Sequence, residues 1–107
     1  MKAKQKKLGA RLKAKWVKAL RSGEYEQGIG LLHDADTNKF CCLGVLLDII
    51  HDPDTKDFWR TADNGCGSSG YSELHEKHGI SCDKFVAFND EKHKSFNWIA
   101  SYIDRYL

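Results

Sequence analysis

The spacing of apolar and polar positions along this chain changes several times, and each change marks a predicted element. Leu8, Leu12, Trp16, Val17 and Leu20 recur three and four residues apart, which predicts an amphipathic helix over residues 5–22. Lys7, Arg11, Lys13, Lys15 and Lys18 fill most of the remaining circumference, and Gly23 supplies a stop. Residues 1–4 are expected to fray. Beyond Gly23 the period shortens. Residues 25–32, softened by Gly28 and Gly30, read as the first arm of a hairpin. Residues 34–38 are rich in turn formers, and residues 39–42 form the return arm.

Residues 42–50 then leave almost no polar face. Leu43, Val45, Leu46, Leu47, Ile49 and Ile50 predict a central helix apolar all round. Gly44 inside it costs about 1 kcal/mol relative to Ala and is expected to admit another backbone at close range. Pro53 ends the element. Phe58–Thr61 suits a short strand, and residues 62–71 read as a flexible loop with three glycines and two serines among them. Ser72 can cap a short helix over residues 73–78 that stops at Gly79. Residues 85–88 suit a short strand or a turn of helix, and Asn89-Asp90 a turn. Ser95 can cap a last helix whose core stripe is Phe96, Ile99, Ala100, Ile103 and Leu107. The expected fold is α+β in one domain over residues 1–107. Three to four helices would pack around a small antiparallel sheet or hairpin, with the nearly all-apolar helix at the centre.

Composition adds little to that outline, but charge adds more. Three Trp, five Phe and four Tyr among 107 residues exclude a disordered chain. No apolar run approaches the roughly 18–20 residues that span a bilayer, and the basic start lacks the apolar stretch of a secretory signal. A cytoplasmic protein with no membrane partner is therefore expected, with Cys41, Cys42, Cys66 and Cys82 as thiols. No paired cysteine spacing points to structural zinc. Residues 1–22 carry nine Lys or Arg and no acid, whereas residues 23–107 carry eight basic and fifteen acidic residues. A basic helix on an acidic body calls for an anionic partner, unless helix and body simply neutralise each other.

Three segments resemble a widespread family of small phage and prophage proteins. They are "ALRSGEYEQGIGLL" (19–32), "FCCLGVLLDI" (40–49) and "FVAFNDEKHKSFNWIASYI" (85–103). The family pattern is a Trp-containing helix followed by L-R-S-G-x-Y-x-Q-G, then C-C-L-G-V-L, then N-D, S-F and I-A. Leu47 departs from it, standing where the family often has a third Cys. The resemblance implies a phage origin and a role inside an infected bacterial host, where small proteins of this kind often blunt host defence.

The residues themselves offer several candidate sites. Arg21, Ser22, Tyr25, Gln27 and Gly28 lie at the exit of the first helix, with Lys18 one turn upstream. Arg presents a planar fork to phosphate, Gln a bidentate amide, and Tyr a ring that stacks on a base. The plainer account is a helix end followed by a hairpin. Asn89 and Asp90 could present an amide and a carboxylate to a ribose, or simply turn the chain. Cys41 and Cys42 at a helix start resemble the nucleophile position of papain-like hydrolases. His75, His78 and His93 follow in the required chain order, but none falls in a strand. Packing is the simpler account of both thiols. His75 and His78 are also spaced to share a metal. Asp34–Asn38 opens like a calcium loop but lacks the later Gly and Glu. The basic helix could track a nucleic-acid backbone, although nothing there supports base-specific readout.

The leading expectation is a non-enzymatic protein with no cofactor that captures an anionic, nucleotide-like ligand, plausibly a host immune signal. Lys18, Arg21, Ser22, Tyr25, Gln27, Gly28, Asn89 and Asp90 would bind it, and a second copy of the chain would cover exposed apolar surface. The alternatives are a cysteine hydrolase using Cys41 or Cys42 with His75 or His78, and an inhibitor that binds a host protein or nucleic acid through the basic helix.

Overall fold

The computed structural model describes residues 8–51 and 68–107. Helix α1 spans Ala10–Ser22 and ends at Gly23, whose φ of 79° is one that glycine adopts without the steric cost of a Cβ. Its start is later than the apolar period implies, because Gly9 takes an extended conformation and serves as N-cap. Trp16, Val17 and Leu20 are its buried face.

Strands β1 (Glu26–Gln27), β2 (His33–Asp34) and β3 (Lys39–Phe40) form a sheet of order β1-β3-β2. The expected hairpin exists, but its first arm is β2, which pairs antiparallel with β3. The turn between them is closed by Asn38 N donating to the Asp34 carbonyl at 2.7 Å, with Asn38 in the left-handed region. β1 pairs parallel with β3 on its other side, so the sheet is mixed rather than purely antiparallel. The 25–32 stretch is not one strand. Gly30, at φ 90°, bends it between β1 and β2.

Helix α2, Cys42–Ile50, is the predicted central helix, and residues 42–48 are all buried. Gly44 is the close approach. A Cβ placed there would fall on the Leu32 carbonyl oxygen and stand 2.7 Å from its carbon. The bend just before β2 and the central helix therefore touch backbone to backbone.

Helix α3, Ser68–His78, begins before Ser72, so residues 68–71 are helical and not loop. It stops at Gly79, φ 67°. The expected strand at Phe58–Thr61, the rest of the 62–71 loop, Cys66 and the frayed start lie outside the described residues. Helix α4, Cys82–Val86, runs into a π-helical turn, Ala87–Glu91, closed by Lys92 N donating to the Ala87 carbonyl at 2.9 Å. Residues 85–88 are thus helical, and Asn89-Asp90 sit in the wide turn. Helix α5, Phe96–Tyr106, is capped by Ser95, whose hydroxyl accepts from Trp98 N at 3.1 Å. Phe96, Ile99, Ala100 and Ile103 are buried as predicted, whereas Leu107 is exposed. The fold is α+β. Among the described residues no helix is long and apolar enough to cross a membrane.

Candidate functional site

Helix α1 lies along α5, and two polar contacts hold them in register. Lys13 Nζ donates to the Asp104 carbonyl at 3.3 Å, and Arg21 Nη2 donates to Ser101 Oγ at 3.1 Å. Beside this contact is an open groove of about 690 Å³ that runs along α1, with Asp104 as its lining residue from α5. Lys13, Lys18, Arg21, Ser22 and Asp104 give it polar walls, and Ala10, Ala14 and Val17 give it an apolar portion. This groove follows from the helix pattern. Lys18 and Arg21 flank the buried Val17 and Leu20, so they fall at the rim of the packed face. Among the described residues neither Lys18 nor Arg21 forms an ion pair. Their charge is available to a ligand, with the Asp104 carboxylate as the opposing charge in the groove.

A second hollow of about 300 Å³ adjoins the exit of α1, lined by Lys15, Lys18, Ser22, Glu24, Tyr25 and others. Lys18 and Ser22 border both hollows. Tyr25 is anchored rather than free to stack. Its hydroxyl donates to the buried Asp48 Oδ2 at 2.7 Å, and its ring meets Phe40 edge-on at 5.0 Å. Ser22 caps the end of α1, donating to the Ala19 carbonyl and accepting from Glu24 N.

The other four expected ligand residues come together elsewhere, and their polar groups are used by the fold. Asn89 is 1% exposed. Its Oδ1 accepts from Gln27 Nε2 at 2.8 Å and from Cys42 N at 3.3 Å. Its Nδ2 donates to the Gly28 carbonyl at 2.8 Å and to Asp90 Oδ1 at 2.7 Å. Gln27 Nε2 also donates to the Lys94 carbonyl at 2.7 Å, while its Oε1 accepts from Phe96 N at 3.2 Å. Both amides therefore have every donor and at least one acceptor position filled. Asn89 caps the start of α2 and Gln27 caps the start of α5. Gln27, Gly28, Asn89 and Asp90 form a structural hub that lines neither hollow. They hold the elements together and leave no amide free for a ligand.

Cys41 and Cys42 are packed at the start of α2, 4% and 0% exposed. Burial pushes the Cys41 thiol up to about 12, outweighing the backbone N–H groups of Gly44 and Leu43 that favour its thiolate. Cys42 is raised well above its ordinary value, again by burial first, and its Sγ donates to the Phe85 carbonyl. A nucleophilic thiol needs the opposite shift. His75 Nδ1 pairs with the Ile80 carbonyl at 3.2 Å, and His78 ends α3. Among the described residues no imidazole hydrogen-bonds either thiol, so the pieces of a cysteine hydrolase are not assembled. Nor do any three His, Cys, Asp or Glu side chains among the described residues converge as metal ligands. In the Asp34–Asn38 turn, Asp34 Oδ1 accepts from Asp36 N, and His33 Nε2 lies 2.9 Å from Asn38 Oδ1. These contacts build a turn.

Sequence reasoning overlooked one surface. Trp98, Tyr102 and Tyr106, one helical turn apart on α5, form a row of rings beside the buried stripe. Their spacing of four residues was the available signal, hidden because the core stripe of the same helix is equally regular.

The molecule defined so far is a small α+β protein with a buried amide hub and an open, partly cationic groove along α1. The model of a family described as a domain of unknown function (DUF8296) matches residues 8–79, well over half of the chain, and the chain belongs to that family. The match takes in α1, the sheet, α2 and α3, and stops before α4, the π-helical turn and α5. No curated protein matches the chain, and no solved structure does.

Proposed function

We propose that this protein is a non-enzymatic binder that captures a phosphorylated small molecule in the groove along α1. The observation that carries this reading is the set Lys18, Arg21 and Ser22 on one groove wall, with both cations free of ion pairs among the described residues. Arg21 is held by Ser101 through one terminal nitrogen, which orients its guanidinium and leaves further N–H donors for phosphate oxygens. Ala14 and Val17 offer apolar surface to a base or sugar. The resemblance to phage proteins makes a nucleotide-derived signal of host defence the first ligand class to test, with the protein acting by sequestration in the host cytoplasm.

The test is calorimetric titration with pyrophosphate, ATP and a cyclic dinucleotide, beside native mass spectrometry of protein taken from infected cells. Expected is saturable binding of at least one nucleotide, weaker at higher salt, and absent in the Lys18→Glu/Arg21→Glu variant. Both side chains are exposed and the variant gives up only the Arg21–Ser101 contact, so circular dichroism should show it folded. No heat with any probe, together with no retained small mass, removes the proposal.

A further inference from the structure

The exposed side of α5 carries a second surface, separate from the groove. Trp98 is 40% and Tyr106 65% exposed, an unusual cost for large aromatic side chains on a small protein. Trp98 and Tyr102 are stacked, with centroids 5.9 Å apart and planes 15° from parallel. Tyr102 and Tyr106 follow at 4.9 Å. Phe88, from the π-helical turn, backs the row by meeting Trp98 at 5.0 Å and Tyr102 at 4.7 Å.

Every Lys and Arg beyond residue 78 is attached to this row. Lys94 Nζ lies 4.8 Å from the Trp98 ring centre, Lys92 6.0 Å from Phe88, Lys84 6.0 Å from Tyr102, and the Arg105 guanidinium 5.9 Å from Tyr106. None of the four is in an ion pair among the described residues. Of the acids in the same stretch, Asp104 lines the α1 groove and Asp90 accepts from Asn89, which leaves Asp83 and Glu91 beside Lys84 and Lys92.

We infer that this row of rings and cations is a docking surface for single-stranded nucleic acid. Unpaired bases stack on the exposed rings of Trp98 and Tyr106, which the half-buried Tyr102 holds in line between them, and the phosphates meet Lys84, Lys92, Lys94 and Arg105. Rings spaced along a helix and bordered by cations satisfy both needs of such a ligand, a π-face for each base and positive charge along its backbone. A duplex hides its bases and would leave the rings bare. A second copy of this chain is disfavoured by charge, because a two-fold contact would bring together two patches that each carry these four cations. The surface is distinct from the groove of the proposed function and stands or falls without it.

Fluorescence anisotropy with a labelled oligothymidylate and an oligouridylate of about 15 nucleotides tests the inference. Both are expected to bind, with log affinity falling against log salt at a slope no steeper than about −3, set by four cations. Trp98→Ala and Tyr106→Ala are each expected to weaken binding about tenfold. Trp98→Phe should retain most of it, a duplex of equal length should bind far more weakly, and Lys18→Glu/Arg21→Glu should leave it intact. The inference is overturned by no binding of either oligomer at low salt or by indifference to Trp98→Ala. It is equally overturned by equal binding of polyglutamate, which would mark an acidic-peptide surface, or by a Trp98-dependent dimer in sedimentation. Loss of oligonucleotide binding in the Lys18/Arg21 variant alone would also overturn it, by moving the contact to the groove.

Discussion

Replacing Asn89 tests the architecture most directly, because one side chain joins β1, α2 and the π-helical turn. In Asn89→Ala the backbone N–H of Cys42 and one Gln27 hydrogen lose their side-chain acceptor, and the Gly28 carbonyl loses its side-chain donor. A buried polar group left unpaired costs about 1–3 kcal/mol, less where water reaches it. Cys42 is fully buried while Gly28 and Gln27 are half-buried, so the sum is about 3–4 kcal/mol. That is a large fraction of the roughly 5–15 kcal/mol that holds a domain of this size. Asn89→Asp sharpens the test. It keeps the acceptor for Cys42 N but turns a second oxygen toward the Gly28 carbonyl and Asp90 Oδ1, where Nδ2 now donates. Burial and the neighbouring carboxylate raise the new acid's pKa in the folded state above its unfolded value of about 3.9. Folded protein then holds the proton more tightly than unfolded protein. The Asp variant is at its relative best below that unfolded value and loses stability as pH rises through the folded one. Urea unfolding followed by circular dichroism should rank wild type above Ala above Asp near neutral pH, with Ala and Asp converging in acid. A loss below about 1 kcal/mol for Asn89→Ala, or an Ala–Asp gap that ignores pH, would refute the hub. So would a Gln27/Asn89 double-mutant cycle with no coupling energy, since groups in one network couple by about 0.5–3 kcal/mol.

Two further substitutions test the packing around α2. Gly44→Ala should destabilise by about 1–3 kcal/mol or more, since its methyl would meet the Leu32 backbone, although helix propensity alone favours Ala by about 1 kcal/mol. A gain in thermal midpoint would show that the sheet and α2 are not in close contact. The buried Cys41 thiol, raised from about 9 to about 12, makes stability fall with pH across that window. Unfolded protein ionises first, and the slope is about 1.4 kcal/mol per pH unit for one such thiol. Cys41→Ala should flatten the alkaline fall relative to wild type, and identical pH profiles would place the thiol in water.

The amphipathic helices were the most legible part of the sequence. Leu12, Trp16 and Leu20, and later Phe96, Ile99 and Ile103, repeat at the period that burial demands, and all but Leu12 are fully packed. Gly44 was readable as a close approach because nothing else favours glycine inside so apolar a helix. The sheet was harder. Each strand has two residues, too few for alternation to register, and the parallel pairing of β1 with β3 depends on a bend at Gly30. At the site, Lys18, Arg21 and Ser22 could be placed together because one helix carries them. Gln27 and Asn89 could not be sorted from ligand contacts, since an amide that caps a helix and one that holds a phosphate are the same residue. Their partners, Cys42 N and Phe96 N, are backbone groups that sequence does not reveal.

The same geometry explains why the most conspicuous segments make poor candidates for chemistry. Asn89 Oδ1 reaches Cys42 N, Trp16 Nε1 donates to the Cys42 carbonyl at 2.9 Å, and Cys42 Sγ reaches the Phe85 carbonyl. Two distant segments, α1 and the stretch from α4 into the π-helical turn, thus converge through three contacts on one residue of the Cys-Cys-Leu-Gly block. A side chain larger than Cys at position 42 would displace all three at once, and a smaller one would leave a void among them. Cysteine fits there as a small apolar group with a weak donor, and its burial suppresses the thiolate that reactivity requires. The hub does not reach the outward faces of α1 and α5. There, cations stand without ion pairs among the described residues, and aromatic rings remain in water. Substitutions on those faces can leave the interior undisturbed, because no side chain of the hub lines the groove or belongs to the aromatic row.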